Sequence, residues 1–427
     1  MTSETTSPYS EAYVWVWLPN IDTPVVAGLL SRQGAQLVFN YGRSYLARKE
    51  AIALYTPELP LRPGAIPLLP GLNMPNCLRD ASPDAWGRRV LINQKLGTTN
   101  TANVELDELT YLLESGSDRI GALDFQTTPT RYVPRQTQQP SLEALARAAE
   151  QVEQGHPLSP ELDQALLHGT SLGGARPKVF LEEGNRKFIA KFSASNDLYN
   201  IVKAEFIAMR LANKAGLNVA PVQLTSALGK DVLLIERFDR IRQGTQWHRR
   251  AMVSALTLLE LDEMMAAYAS YEKLAEIIRH RFADAKETLQ ELFGRMVFNI
   301  LCGNTDDHAR NHAAFWHGSH LTLTPAYDLC PQSRTGQHAS QAMLIRGSDR
   351  TSQIATCVNA SSSFLLKQEE AIHIVNHQVE IIEREWQPLC DEAHLSVVER
   401  SLLWRRQFLN PFAFIGAPEG VRIPVVA

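Results

Sequence analysis

The chain has 427 residues, 44% hydrophobic and 21% charged, with 42 Lys and Arg against 46 Asp and Glu for a net charge of −4. That length exceeds the roughly 250–300 residues at which a single core stops growing, so at least two domains are expected, and the ordinary composition excludes long disorder. The slight acidity argues against a broad basic nucleic-acid surface, and no run reaches the ~18 apolar residues that a membrane span needs.

The opening, Met1 to Ser10, is polar, carries Glu4 and lacks both a basic and an apolar segment, so no secretory signal is expected. Cys77, Cys302, Cys330, Cys357 and Cys390 are scattered with no CxxC pair, which excludes a zinc ribbon or a disulfide framework and points to the reducing cytoplasm. Tyr13 to Leu18 and Gln36 to Phe39 read as strands, being rich in aromatic and β-branched residues, with Trp15 and Trp17 on one face directed to a core. A Pro/Gly-dense loop spans Pro57 to Pro75. Ser82 then reads as the cap of a helix whose first residue is Pro83, with Asp84 complementing the dipole and Trp86 as a core or interdomain anchor. Residues 13–126 form one small α/β domain on this reading, after a flexible tail at 1–12.

From 127 to 165 the composition turns to Thr, Gln, Pro and Glu, read as a linker with one exposed helix from Ser141 to Gln154. A second α/β block follows over 166–240: strand Lys187 to Phe192, helix Asn200 to Ala215, and strand Val232 to Phe238. Beyond about Gln246 the chain reads as mostly helical, and 241–427 as a helical lobe. Strands first and helices after give an α+β class with a sheet-rich lobe preceding a helical one. Arg88-Arg89 and Arg249-Arg250 are too short to make a nucleic-acid surface, and the apolar run Ala251 to Leu261 reads as a packed helix.

Six features carry chemistry, each weak alone. Gly169 to Lys178 holds Gly173-Gly174 with Arg176 and Lys178, a loop whose N–H groups and cations suit phosphate, against the alternative of a flexible turn. Lys191 lies in an apolar strand and Glu205 on the following helix, the pattern of a phosphate-contacting lysine steadied by a glutamate. Glu236 ends a strand. Asp306 and Asn311 stand five apart in Gly303 to Asn311, the spacing at which phosphoryl transfer places a proton-accepting carboxylate and a Mg2+-holding amide; the alternative is an Asn/Asp-rich helix cap. Asp328, 22 residues beyond Asp306, suits a second metal ligand or a turn. Their order along the chain is the order in which a two-lobed kinase uses them, and this agreement weighs more than any single motif.

Ser171-Leu-Gly-Gly-Ala-Arg-Pro-Lys178, Glu236-Arg-Phe-Asp-Arg240, Asn304-Thr-Asp-Asp-His-Ala-Arg-Asn311 and Ala326-Tyr-Asp-Leu329 resemble the HipA serine/threonine kinase toxins. Pro83 to Arg88 and Gly121-Ala122-Leu123 are similar to that family's small first domain, so the resemblance spans roughly Tyr13 to Ile415. It implies a protein-kinase-like fold using ATP and Mg2+, with Asp306 as catalytic base, Asn311 and Asp328 on Mg2+, and His308 beside the nucleotide. Lys191 would contact the phosphates, and Gly173, Gly174, Ala175, Arg176, Pro177 and Lys178 would form the phosphate loop. Pro177 departs from a pure N–H cradle because it lacks a donor. Backbone groups of Glu236, Arg237 and Phe238 would receive the adenine.

The resemblance further implies self-silencing by phosphorylation of Ser171, with Thr170 as the adjacent alternative hydroxyl. It implies a protein substrate, such as an aminoacyl-tRNA synthetase or other translation factor, and an antitoxin partner. Three rivals stay open on the residues alone. A small-molecule kinase would use the same machinery. A binding module would have lost catalysis, against which the joint presence of Asp306, Asn311, Asp328 and Lys191 argues. A zinc hydrolase would take His308 and His312 from one helix, with Asp306, Asp307, His317 and His320 nearby, though it lacks the glutamate of HExxH.

Overall fold

A computed structural model of the chain describes residues 8–83, 85–96, 105–135, 141–154, 156, 176–193, 197, 199–334 and 338–424. The chain divides into two compact units, one of Met1–Ser195, Thr225–Val253 and Phe315–Ser319, the other of Asn196–Leu224, Ser254–Ala314 and His320–Ala427.

In the first unit, β1 (Glu11–Val16), β2 (Val25–Gln33), β3 (Gln36–Tyr41), β4 (Ala65–Ile66) and β5 (Leu123–Gln126) form an antiparallel sheet in the order β4-β3-β2-β1-β5. A bulge between Val14 and Trp15 shifts the pairing of β1 with β2. Trp15 and Trp17 are both buried and both meet the ring of Tyr132, at 5.5 and 5.3 Å, as their shared face leads one to expect.

Helix α1 (Ala85–Leu96) begins later than its sequence suggests, and Asp84 lies outside the described residues. The Ser82 hydroxyl, read as its cap, instead donates to the Glu108 carboxylate at 2.5 Å, which Arg88 also holds at 2.7 Å. Trp86 is fully buried, and its indole N–H donates to the Lys178 carbonyl at 3.0 Å.

That carbonyl belongs to a second sheet of β6 (Lys178–Glu183), β7 (Arg186–Phe192), β8 (Val222–Ala227) and β9 (Lys230–Glu236), ordered β6-β7-β9-β8, with β8 entering the unit at Thr225. Helix α2 (Leu142–Gln154) packs on it, and here the expectation of an exposed linker helix is corrected. Leu145, Ala148, Ala149 and Val152, on one face at helical spacing, are at most 2% exposed and join Trp86, Val179, Phe188 and Val232 in one core. Small alanines disguised that stripe in the sequence. A hairpin of β10 (Arg240–Gln243) and β11 (Gln246–Arg249) follows, where a helical region was expected to open.

Glu58 shows how tightly the Pro/Gly-rich loop is held. It is 5% exposed and accepts the N–H groups of Asn76 at 3.1 Å and Cys77 at 2.7 Å. Desolvation nevertheless pushes its pKa from 4.5 to about 7. The fold therefore favours the protonated acid, and the stability this confers is present below pH 4.5 and lost as the pH rises to about 7. Glu58→Gln should flatten that part of the melting-temperature profile between pH 5 and about 7.5. A variant with the same pH slope as the parent would exclude Glu58 as its source.

The second unit is mainly helical. Helix α3 (Ile201–Lys214), capped by the Asn200 side chain on the Lys203 N–H at 3.1 Å, packs against α6 (Gln368–Glu392), while α4 (Tyr271–Arg281) packs on α5 (Ala285–Cys302). Among the described residues no helix is long and apolar enough to cross a membrane. α5 ends at Gly303 in the left-handed region, φ 75°, where an added Cβ would lie 2.8 Å from the Gln407 carbonyl oxygen. Only glycine tolerates both that backbone and that approach.

Candidate active site

Gly303 turns the chain out of α5 into an irregular stretch that its own side chains brace. Asn304, 1% exposed, donates from Nδ2 to Asn299 Oδ1 at 2.8 Å and to the Asp328 carbonyl at 3.3 Å. Asp306 then faces outward while Asp307, 2% exposed, faces in, accepting from the Tyr271 hydroxyl and lying 3.0 Å from His312 Nε2. A short 3-10 turn, Ala309–Asn311, closes the loop, and Asn311 Nδ2 donates to the Asp306 carbonyl at 3.2 Å. Because that bond engages the amide's donor end, its oxygen is the end that could hold a cation. The helix-cap alternative fails here, since α5 is closed by glycine rather than by these polar residues.

Asp328 is held from the other side. The fully buried Arg295 donates to the Thr324 carbonyl at 2.8 Å and the Asn218 carbonyl at 3.1 Å, and Ala326 pairs with Val219. The Tyr327 hydroxyl donates to the Arg310 carbonyl at 2.7 Å. Asp328 itself has φ 59°, a left-handed conformation that costs a non-glycine residue about 1–2 kcal/mol and persists where the surroundings impose it. Crowding around the Asp306 carboxyl raises its pKa through desolvation first, with the charge of Asp328 adding and that of His308 opposing. Asp306, His308, Asn311 and Asp328 are thus brought together in one unit. Two carboxylates and an amide oxygen are hard donors that suit Mg2+.

The zinc alternative does not survive this geometry. His308 is extended, the residues after it form a 3-10 turn and His312 is again extended, so the two imidazoles never share a helix face. His312 is occupied by Asp307, and among the described residues no three His, Cys, Asp or Glu side chains form a metal-holding cluster.

The remaining candidates lie elsewhere. Thr170, Ser171, Gly173, Gly174 and Ala175 fall outside the described residues. Arg176 is half-buried, while Pro177 is buried and its carbonyl accepts the Phe192 N–H at 3.1 Å. Lys178 and Lys191 are directly opposed across β6 and β7 and are 6% and 8% exposed. Glu205, 4% exposed on α3, belongs to the other unit.

Glu236 lies 3.5 Å from Arg186, and Phe238 meets Phe315 edge-on at 5.9 Å. The Arg237 N–H already donates to the Lys187 carbonyl at 2.8 Å, so that one of the backbone groups of Glu236 to Phe238 is engaged within the sheet. Its guanidinium is engaged too, with Asp239 at 2.8 Å and the Arg119 carbonyl at 2.9 Å.

Sequence reasoning missed Asn304, Tyr271 and Arg295, and gave Asp307 only a zinc-neighbour role. The repeated Asp306-Asp307 was the one available signal, since two adjacent carboxylates rarely share one environment and here one is exposed and the other buried.

Known proteins agree with this architecture. Residues 170–386 match the model of the HipA-like C-terminal domain and residues 16–126 that of the HipA N-terminal domain. A Sinorhizobium fredii protein named "Putative kinase Y4mE" is 30% identical over 130 residues, 29% of this chain and 31% of that protein. The serine/threonine-protein kinase toxin HipA of Shewanella oneidensis is 27% identical over 187 residues, 37% of this chain and 42% of the toxin. The chain therefore spans less than half the length of either curated relative. Among solved structures, HipA of Shewanella oneidensis, in complex with HipB and operator DNA, superposes with a TM-score of 0.69 at 20% identity, covering 97% of this chain and 100% of that one. That likeness shows the fold, the kinase-like α+β class expected from the sequence.

Proposed function

The chain belongs to the HipA-like family, matched over both its N- and C-terminal regions, and we propose that it is an ATP- and Mg2+-dependent serine/threonine protein kinase of toxin type acting in the cytoplasm. The observation that carries this reading is the convergence of Asp306, Asn311 and Asp328 described above. In this role Asp306 accepts the proton of the attacking hydroxyl as its oxygen bonds to the γ-phosphorus and ADP departs. Asn311 and Asp328 hold Mg2+, which when bound offsets the charge on the phosphate oxygens. His308, by lowering the pKa of Asp306, favours its unprotonated form.

Lys191 and Lys178 meet the phosphates from one rung of the sheet, with Gly173 to Pro177 as the neighbouring loop. Backbone groups of Glu236 and Phe238, rather than the Arg237 N–H, receive the adenine. A protein of the translation apparatus, such as an aminoacyl-tRNA synthetase, is the proposed substrate class, and an antitoxin the proposed partner. The HipB-bound Shewanella oneidensis structure supports the second of these.

The test is intact-protein mass spectrometry after incubation with ATP and Mg2+. A phosphate-sized gain on Ser171 or Thr170 is expected, and a phosphoserine there, carrying about −1.5 to −2 charges, would compete with ATP for Arg176 and Lys178. Unmodified protein that neither gains phosphate nor binds ATP would overturn the reading.

A further inference from the structure

We propose that Tyr271 and His312, acting through the buried carboxylate of Asp307, are positioning residues for Asp306. The proposal rests on the kinase reading and concerns how this chain holds its base in place. Asp306 and Asp307 are adjacent, yet one is exposed and the other 2% exposed. Because the two residues are adjacent, fixing the Asp307 side chain inward also fixes the backbone from which Asp306 projects to the opposite, exposed side. Whatever anchors Asp307 therefore aims Asp306.

That anchor comes from two separate elements. Tyr271, 1% exposed, is the first residue of α4, and its own N–H donates to the Leu344 carbonyl at 2.9 Å. Its hydroxyl donates to Asp307 Oδ2. His312, 3% exposed, stands 3.0 Å from Asp307 Oδ1 through Nε2, and its carbonyl accepts the Ala255 N–H at 2.7 Å. His312 Nδ1 has no hydrogen-bond partner, so Nε2 is the ring nitrogen that engages the carboxylate.

The Asp307 to His312 link also closes a short loop containing Asn311, whose Nδ2 returns to the Asp306 carbonyl at 3.2 Å. One buried carboxylate thereby fixes the base and the amide ligand together. Had packing been the only need, apolar residues of similar volume would serve at least as well as a buried polar cluster. What the polar cluster adds is direction.

The experiment compares wild type, Tyr271→Phe, His312→Gln and His312→Leu in single-turnover autophosphorylation. Binding of ATP with Mg2+ is measured by calorimetry, and melting temperature on the same samples. Tyr271→Phe keeps the ring and loses one donor, and should slow transfer by about tenfold to a hundredfold, the cost of misplacing a reacting group by about an ångström. ATP affinity should stay within about twofold, since the ground-state contacts are untouched. His312→Gln, whose side-chain amide N–H can replace the imidazole donor, should recover most of the rate, and His312→Leu should not.

Equal rates in wild type and Tyr271→Phe would overturn the proposal, as would losses that follow ATP affinity or melting temperature alone. An inactive wild type would instead mark failure of the kinase reading itself.

Discussion

Asp306→Asn should reduce phosphoryl transfer by about a hundredfold to ten-thousandfold, the range a positioned general base contributes. Asparagine keeps the shape of the side chain, and the backbone carbonyl that receives Asn311 Nδ2 is unchanged. What disappears is the ability to take a proton. The substitution also removes a carboxylate whose pKa is raised by desolvation and by the nearby Asp328 charge. Relief of that repulsion predicts a melting temperature equal to or above that of wild type. Loss of activity together with undiminished stability is thus the expected signature, read by transfer assay and thermal denaturation side by side. A fully active Asp306→Asn protein would remove the mechanism proposed for this loop.

The second large effect is on stability, in the first unit. Asp239→Ala should cost about 3–5 kcal/mol, because removing one carboxylate of a buried ion cluster leaves two buried guanidinium groups to share the Asp118 carboxylate alone. Asp239 accepts from Arg237 at 2.8 Å, Arg240 at 2.6 Å and the Gly121 N–H at 2.8 Å, and the side chains of all three charged residues are at most 3% exposed. Asp118 shares the same two guanidinium groups, at 3.0 Å from Arg237 and 2.7 Å from Arg240. Arg240 also donates to the Gly121 carbonyl at 3.0 Å. The cluster therefore ties the Asp118 to Gly121 segment to the strand end Arg237 to Arg240.

Burial alone would push the Asp239 pKa up, but the guanidinium groups of Arg237 and then Arg240 outweigh it and hold it below the usual carboxylate value. A lowered pKa contributes stability that is present above the unfolded-state value of 3.8 and lost as the pH falls through the folded one. The variant should accordingly melt about 6–20 °C lower near neutral pH, and the gap should narrow on acidification below about pH 4. An unchanged melting temperature would show that the cluster does not hold this unit together.

These two sites were unequally legible in the sequence. The five-residue spacing of Asp306 and Asn311 and the later Asp328 were legible as phosphoryl-transfer chemistry only in combination with the other motifs, each alone matching a cap or a turn as well, because local spacing survives without knowledge of the fold. Glu236 to Arg240 was legible only as a motif. The side chains of Arg237, Asp239 and Arg240 turn to a segment more than a hundred residues earlier, and no local pattern announces a partner so distant. The same limit applied to Tyr271, whose role depends on which loop its hydroxyl meets.

Hydrophobic periodicity by itself determined the strands near Trp15 and Val232 and the helix from Ile201, since those patterns express a geometry intrinsic to the backbone. The order of the chemical motifs pointed to a two-lobed kinase, and the resemblance of those segments to the HipA kinase toxins pointed to the family. Only the tertiary structure decided that α2 is buried, that the Ser82 hydroxyl donates to Glu108, and that Asp307 faces inward while Asp306 faces out. Each of those outcomes depends on the desolvation and pairing of polar groups brought together from distant positions. Such pairings exist only once the chain has folded around them.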